Sequence, residues 1–349
     1  MKKIMVFFLF GMIILDLSIE NCDAMDYKEI KSSEFNNVLL GNAQDNWAKT
    51  GVTVAIFPQG ATVGVDISGG GPASRETPVV SPLTSSTPVN AIVLAGGSAY
   101  GLAAADGVMN YLEERKIGYD TGFALVPIVV QSDLYDLSYG SAKVRPDAAM
   151  GKAACENAFS HSEFKSGLFG AGTGATIGKI RGMKNAMKSG LGVYAIELGE
   201  LKIAAIVAVN ALGDVYDERN GTKIGGMLND ERTSFADSCT ELYKLKTKTD
   251  LFRHQNTTIG MIITNARFNK DELSKIAAMT RNAYARSIKP VGTTADGDTI
   301  YAASTGEING DLNMVGTLAA EVMSEAIRRA VLCSKIEDSE YLSALQPAK

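Results

Sequence analysis

Apolar residues in this chain fall into short β-branched runs and longer helical stripes, with strands coming in pairs and helices after them. "VTVAIF" (52–57) and "ATVGVDI" (61–67), parted by Pro58-Gln59-Gly60, predict a hairpin, since Pro and Gly together punctuate two β-rich runs. Its second strand leads into "SGGGPASRET", a glycine loop through which backbone can approach a ligand. "AIVLAGG" (91–97) predicts a buried strand. The following "SAYGLAAADGVMNYLEERKIG" predicts a helix with Leu102, Ala105, Val108, Met109 and Leu112 on one side, its small residues implying close packing on a sheet.

Further along, "LGVYAIE" (191–197) and "LKIAAIVAVN" (201–210) predict a strand pair around a short turn. "TIGMIITNA" (258–266) and "DTIYAAST" (298–305) predict two more strands separated by a helix after Asn269, and "NMVGTLAAEVMSEAIRRAVLCS" predicts a C-terminal amphipathic helix. This order favours antiparallel sheets covered by helices, a layered α/β sandwich, over a doubly wound nucleotide fold. Residues 227–256 hold many charges and no Gly or Pro, which predicts a surface helix and then a loop. That segment is either a plain insertion or a flexible lead-in to a cut site.

A hydrophobic fraction of 46% with 35 Gly and only 7% aromatic residues suits a large core built from small side chains. No linker or repeat divides the chain, so one domain over residues 25–349 is expected. Residues 1–24 have two lysines, an apolar run from Ile4 to Leu15 and a polar stretch ending at Ala24, the anatomy of an export signal. The run is shorter than the roughly 20 residues a spanning helix needs, so stable membrane insertion is not expected. Cleavage after Ala24 and a periplasmic or secreted destination follow. The alternatives are an uncleaved amphipathic anchor and a lipid-anchored form through Cys22, which the bulky, polar Glu20 and Asn21 disfavour.

Losing that leader removes Lys2 and Lys3 against Asp16, Glu20 and Asp23, and leaves a net charge of −4 with no basic cluster. Nucleic acid is therefore not an expected partner. Cys155, Cys239 and Cys333 are too far apart for a CxxC metal site and read as packed small residues. Only His161 and His254 exist, neither beside a serine in a nucleophile-elbow pattern or in HExxH spacing, so a hydrolase here needs another base. "GAGTGATIGK" (170–179) fails the phosphate-loop pattern, because three residues rather than four precede Gly178-Lys179 and Ile180 follows. Its glycines read as a turn beneath a pocket, with Lys179 as a positive charge at the rim. No cofactor is called for.

"HQNTTIGMIITNA" (254–266) sets Asn256 and two hydroxyl residues directly against a β-branched run. A threonine whose own α-amine is freed by cleavage carries its base with it, since that amine titrates at about 7.7 to 8.0 in model peptides. Thr257 Oγ can make the cut itself, attacking the Asn256 carbonyl with a nitrogen-to-oxygen acyl shift before water releases the ester. Its β-branch restricts χ1, and Asn256 tolerates unusual dihedrals. Alternatively, Asn256-Thr257-Thr258 and Asn220-Gly221-Thr222 are glycosylation sequons.

In "TTADGDTIYAAST", Asp296 and Asp298 lie two apart, so an extended chain puts both carboxylates on one side, able to orient the new amine. Gly297 between them permits close backbone approach. The alternative is an ordinary turn rich in Asp and Gly. Asn210 ends an apolar strand, either as an oxyanion donor or as the start of a turn.

Taken together, "VTVAIFPQGATVGVDISGGGPASRET", "LAGGSAYGLAAADGVMNYLEERKIGYDTG", "VRPDAAMGKAACENA", "GAGTGATIGKIRGMKNAMKSGLG", "NTTIGMIITNA" and "DGDTIYAASTGE" resemble the family of L-aminopeptidase/D-esterases, β-peptidyl aminopeptidases and nylon-oligomer hydrolases. The resemblance implies a four-layer αββα sandwich similar in principle to N-terminal-nucleophile hydrolases. It implies cleavage between Asn256 and Thr257 into chains 25–256 and 257–349, and a homotetramer of the cleaved pairs. Thr257 would carry the nucleophile, with Asp296 and Asp298 as the acidic pair, Asn210 as the oxyanion-stabilising Asn and Lys179 as a pocket lysine of the nylon-oligomer branch. In "VVQSDLYDLSYG", Asp133 stands where the aminopeptidases bind the substrate's free amine with a longer acid, two residues before a catalytic-site Tyr that is Tyr135 here. An ordinary loop acid is the other reading of Asp133. The expected activity is hydrolysis of small peptides, amides or esters at their N-terminal residue through an acyl-enzyme. An acyltransferase with the same nucleophile and a non-enzymatic exported binding protein are the alternatives.

Overall fold

A computed structural model describes residues 27–85, 87–160, 164–244 and 256–345. The expected export segment with Cys22, together with His161 and His254, lies outside the described residues.

Ten strands form the main sheet: β1 (Lys28–Glu29), β2 (Leu39–Asp45), β3 (Thr50–Ile67), β4 (Ala73–Arg75), β5 (Val89–Ala95), β6 (Val129–Asp133), β7 (Leu191–Leu198), β8 (Leu201–Asn210), β9 (Thr257–Ala266) and β10 (Thr299–Ile308). Their order is β1-β7-β8-β9-β10-β3-β5-β6-β4, with β2 also on β3. The first half of β3 pairs with β2 and β5, and the second half pairs with β10.

The expected hairpin over 52–67 is therefore one continuous strand. Pro58 offers no N–H to a ladder, and Gly60 takes a left-handed φ of 78°. The kink's polar groups go to a distant side chain: Gln59 N–H donates to Asn37 Oδ1 at 2.8 Å, and Asn37 Nδ2 donates to the Gly60 carbonyl at 3.2 Å. With those bonds made elsewhere, the chain steps its register between Ile56 and Ala61 without reversing.

That strand joins two half-sheets whose side chains alternate between two environments. Ala55, Phe57, Ile92 and Leu94 of one half pack with Ile206, Ala208, Ile259, Met261 and Tyr301 of the other in a shared inter-sheet core. Their neighbours Val52, Val54 and Val93 turn outward to helices α1 (Ala104–Glu114) and α2 (Ala148–Phe159). Ile203, Ala205, Val207, Ile262 and Ile300 turn outward to α3 (Lys270–Ser287) and α4 (Leu312–Leu332). The result is helix, sheet, sheet, helix, the expected αββα order. Each fully buried Ile, Leu or Phe contributes about 1.5–3 kcal/mol, so the alternation itself selects this layering.

The small residues also act as expected. A Cβ on Gly107 would strike the Ala148 carbonyl, and one on Gly151 the Ala104 carbonyl, so α1 and α2 cross in close contact. The first turn of the predicted helix is instead a 3-10 segment, Ser98–Ala103. Helix α3 begins with a capping box between Asn269 and Glu272, and Asp311 caps α4. Antiparallel pairing dominates, as expected, but β9 pairs with β10 and β5 with β6 in parallel. Each of those pairs is joined through a helix, the connection a parallel pair requires. Among the described cysteines, Cys155 is buried as expected, Cys239 is half-buried and Cys333 is exposed. A short helix, Ser238–Lys244, occupies the predicted surface segment. Among the described residues, no helix is long and apolar enough to cross a membrane.

Candidate active site

Thr257 and Asn210 face each other at one end of the β8–β9 ladder. Alternation fixes where they point: Thr257 shares parity with Ile259 and Met261, and Asn210 with Ile206 and Ala208, the inter-sheet side in both cases. Thr257 is 4% exposed. Asn256 bridges in parallel to Asp296, which brings the start of β10 across the Asn256–Thr257 bond.

The Asn256 carbonyl oxygen accepts a hydrogen bond from Gly297 N–H at 3.0 Å. It also accepts one from the Thr257 hydroxyl. A Cβ on Gly297 would lie 2.9 Å from Thr257 Oγ1 and 2.9 Å from the Gly71 carbonyl, so glycine alone fits without displacing either. The glycine loop supplies the backing. Ser68 N–H and Gly69 N–H donate to the Asp298 carbonyl at 3.0 and 3.1 Å, and Gly71 N–H donates to that of Asp296 at 2.9 Å. The loop that promised close approach to a ligand thus makes its close approach to the acidic turn.

Both carboxylates in that turn are buried. Asp298 accepts Thr258 N–H at 2.6 Å and Gly292 N–H at 3.0 Å. Asp296 accepts the amide and hydroxyl of Thr293 at 2.8 and 2.6 Å. They do not share one target as an extended strand would have them do; each is held by different donors on either side of Gly297. Burial pushes Asp298 up to about 7, helped by the Asp296 charge and opposed by its two N–H donors and Lys179. Burial also raises Asp296, against its Thr293 bonds and Lys179.

Lys179 is not a rim charge. It is buried, and its Nζ donates to the Asn210 carbonyl at 2.8 Å and to Asn210 Oδ1 at 2.9 Å. Burial pulls it down to about 7, while Asp296, Asp298 and Asp136 favour its charged form. The glycine-rich stretch 170–179 folds as a 3-10 turn and a short strand that also delivers Thr176 N–H to Asn210 Oδ1 at 3.0 Å. On the other face, Asn210 Nδ2 donates to the Tyr135 carbonyl at 2.8 Å. Donors from Thr176 and Lys179 on Oδ1 and an acceptor on Nδ2 fix which way the amide points.

Tyr135 reaches this group through its backbone, and burial raises its phenol. Asp133 sits in a separate buried network: Gln131 Nε2 donates to its Oδ1 at 2.7 Å, and Gln131 Oε1 accepts Ala105 N–H of α1 at 3.0 Å. Among the described residues its Oδ2 has no partner, and burial holds the carboxyl well above the usual range. Among the described residues, no hydrogen bond ties Asp133 to the Thr257 cluster. Sequence reasoning passed over Asp136 and Lys188, both buried beside this site, because each is a lone charge with no spacing signal.

Replacing Gly297 by Ala is expected to slow any reaction at the Asn256–Thr257 bond by roughly tenfold or more, since the added methyl forces Thr257 Oγ1 or the carbonyl donor out of line. The cleaved fraction against time, read by intact mass, checks this. A wild-type rate in that variant would show that the contact does not matter.

Residues 33–339 match the model of Peptidase family S58. An uncharacterized aminopeptidase of Mycobacterium leprae is 35% identical over 314 residues, covering 83% of this chain and 84% of that protein. A 6-aminohexanoate-oligomer endohydrolase of Agromyces sp. is 34% identical over 340 residues, covering 88% and 90%. Among solved structures, the L-aminopeptidase D-Ala-esterase/amidase of Ochrobactrum anthropi, described as a variant of the Ntn hydrolase fold, superposes with a TM-score of 0.63 at 16% identity, covering 88% and 91%. A Burkholderia sp. beta-aminopeptidase superposes with a TM-score of 0.58 at 18% identity, again covering 88% and 91%. The fold is thus that of the Ntn hydrolases, and the chain belongs to peptidase family S58.

Proposed function

We propose that this chain is an exported, self-processing hydrolase of small peptides, amides or esters, with Thr257 as nucleophile. The observation that carries the reading is the arrangement at the Asn256–Thr257 bond: a buried threonine hydroxyl beside its own upstream carbonyl, whose oxygen already has a backbone donor in Gly297. In processing, Thr257 Oγ attacks the Asn256 carbonyl carbon and gives up its proton to Asp298. The oxyanion gains on the Gly297 N–H, the bond to the Thr257 nitrogen breaks as that nitrogen is protonated, and an ester remains. Water hydrolyses the ester, leaving an Asn256 carboxylate and a Thr257 α-amine.

In the cleaved enzyme that amine takes the hydroxyl proton, and Asn210, held by Lys179, stabilises the substrate's oxyanion. The acyl group passes to Thr257 Oγ and then to water. A free substrate amine would be taken by Asp133, whose buried Oδ2 has no hydrogen-bond partner among the described residues and would hold the ammonium in place of the proton that burial favours. The two chains stay together and assemble as a homo-oligomer. The M. leprae relative's designation as an uncharacterized aminopeptidase and the Agromyces enzyme's as a 6-aminohexanoate-oligomer endohydrolase support amide substrates.

Incubating the cleaved protein with an activated amino-acyl ester should add one acyl mass to the piece that begins at Thr257, and to no other piece. An adduct on the large chain, or turnover with no adduct under rapid quench, would count against a Thr257 acyl-enzyme.

Processing should also follow the Asp298 carboxyl. Its base form grows as pH rises toward about 7, so cleavage of slowly processed Gly297→Ala precursor should accelerate about tenfold per pH unit from 5 toward 7. A rate independent of pH over that range would remove Asp298 as the base.

A further inference from the structure

We propose that Asp136 is a positioning residue that fixes the orientation of the Asn210 side-chain amide, a role that rests on Asn210 acting as proposed above. Asp136 follows Tyr135 directly, so the peptide between them carries the carbonyl that accepts Asn210 Nδ2. The carboxylate pins that peptide from below. Thr50 Oγ1 donates to Oδ2 at 2.7 Å and Gly97 N–H donates to Oδ1 at 2.8 Å, while Tyr139 N–H closes the turn onto the Asp136 carbonyl at 2.9 Å. Thr50 opens β3 and Gly97 follows β5, so two adjacent strands hold the loop.

The other side of the amide is built the same way. Lys188 Nζ donates to the Gly172 and Ala175 carbonyls at 3.2 and 2.8 Å and to the Ser189 carbonyl. It thereby fixes the turn that presents Thr176 N–H to Asn210 Oδ1. The two supports meet where a Cβ on Gly174 would lie 2.5 Å from that of Asp136. A buried carboxylate is a poor way to gain stability, because an apolar replacement of similar volume commonly does as well or better. Its bonds to Thr50 and Gly97 fix the loop behind Asn210, so geometry is what the carboxylate supplies. Burial raises it to about 6, and the role needs its two hydrogen bonds, to Thr50 and Gly97, more than its charge.

Asp136→Asn keeps an acceptor for Gly97 N–H and can donate its new N–H to Thr50 Oγ1, whereas Asp136→Ala keeps neither. On cleaved enzyme, Asp136→Ala is expected to lower kcat roughly tenfold with KM within about twofold, and Asp136→Asn to stay within about threefold of wild type. In an Asn210→Ala background the Asp136→Ala loss should vanish, because both changes disable the same group. Thr50→Val, which removes one of the two bonds, gives the same comparison if Asp136→Ala fails to fold, with Thr50→Ser restoring kcat. A wild-type kcat in Asp136→Ala or Thr50→Val, or losses that multiply in the Asn210→Ala background, would overturn the positioning role alone. Unchanged kcat in Asn210→Ala by itself would overturn the reading of Asn210, and the role of Asp136 with it.

Discussion

Thr257→Ala is expected to yield one uncut chain and to lower amide hydrolysis by roughly ten-thousand-fold or more, the scale on which hydrolases lose rate when the nucleophile goes. The loss is this large because one substitution removes two things. Without the hydroxyl, the Asn256 carbonyl has its Gly297 donor but no attacking group. Without the cut, no α-amine forms at residue 257 to serve as base. Folding should survive, since the deleted hydroxyl and methyl sit at a strand end with Thr258 N–H still bound to Asp298; a stability cost of about 1 kcal/mol is the scale for so small a deletion. Thr257→Ser separates the two contributions. It keeps a hydroxyl but frees χ1, so cleavage should proceed more slowly than in wild type and turnover should return once the amine is released. Cleavage time courses by intact mass and turnover of a small amide measure both. Substantial hydrolysis by a clean Thr257→Ala preparation would remove this residue from the mechanism.

The second large effect is expected at Asp298. Asp298→Asn should slow self-cleavage by roughly a hundredfold to a thousandfold, the range for a general base. The amide can still accept Thr258 N–H, but its Nδ2 then faces Gly292 N–H, donor against donor, where the carboxylate accepted at 3.0 Å. The pH dependence distinguishes lost base chemistry from lost packing. Burial raises the Asp298 carboxyl to about 7, so the folded state binds this proton more tightly than the unfolded chain does between about pH 4 and 7. The group's contribution to stability is therefore full below pH 4 and is lost as pH rises through about 7. Denaturant midpoints at pH 5 and pH 8 should differ less in Asp298→Asn than in wild type, and the acid limb of self-cleavage should disappear. Equal shifts in the two proteins, with the acid limb intact, would place the titration elsewhere.

Periodicity made much of the fold legible. The apolar, β-branched runs "LKIAAIVAVN" and "TIGMIITNA" are strands as expected, because a strand covered by a sheet on one face and helices on the other is apolar along nearly its whole length. Periodicity did not reveal the continuous path of β3. That depends on Asn37, which is remote from Pro58-Gln59-Gly60 in sequence and takes their polar groups in the fold. Likewise a glycine-rich stretch says that backbone comes close to something, and only the fold says that the something is the Asp296–Asp298 turn. Thr257, Asp296, Asp298, Asn210 and Lys179 were recognisable by type and by family pattern. Their joining depends on the Asn256–Asp296 bridge and on the pairing of Asn210 with Thr257, which are tertiary contacts. Asp136 and Lys188 had no local signal, since a buried charge looks like a surface charge until its burial is known.

The most direct test of the account is the intact mass of the purified wild-type protein after dissociation. Two species are predicted, the smaller matching residues 257–349 with a free threonine at its N-terminus and the larger ending at Asn256. A single chain running uncut through Asn256–Thr257, fully active on a small amide, would contradict it.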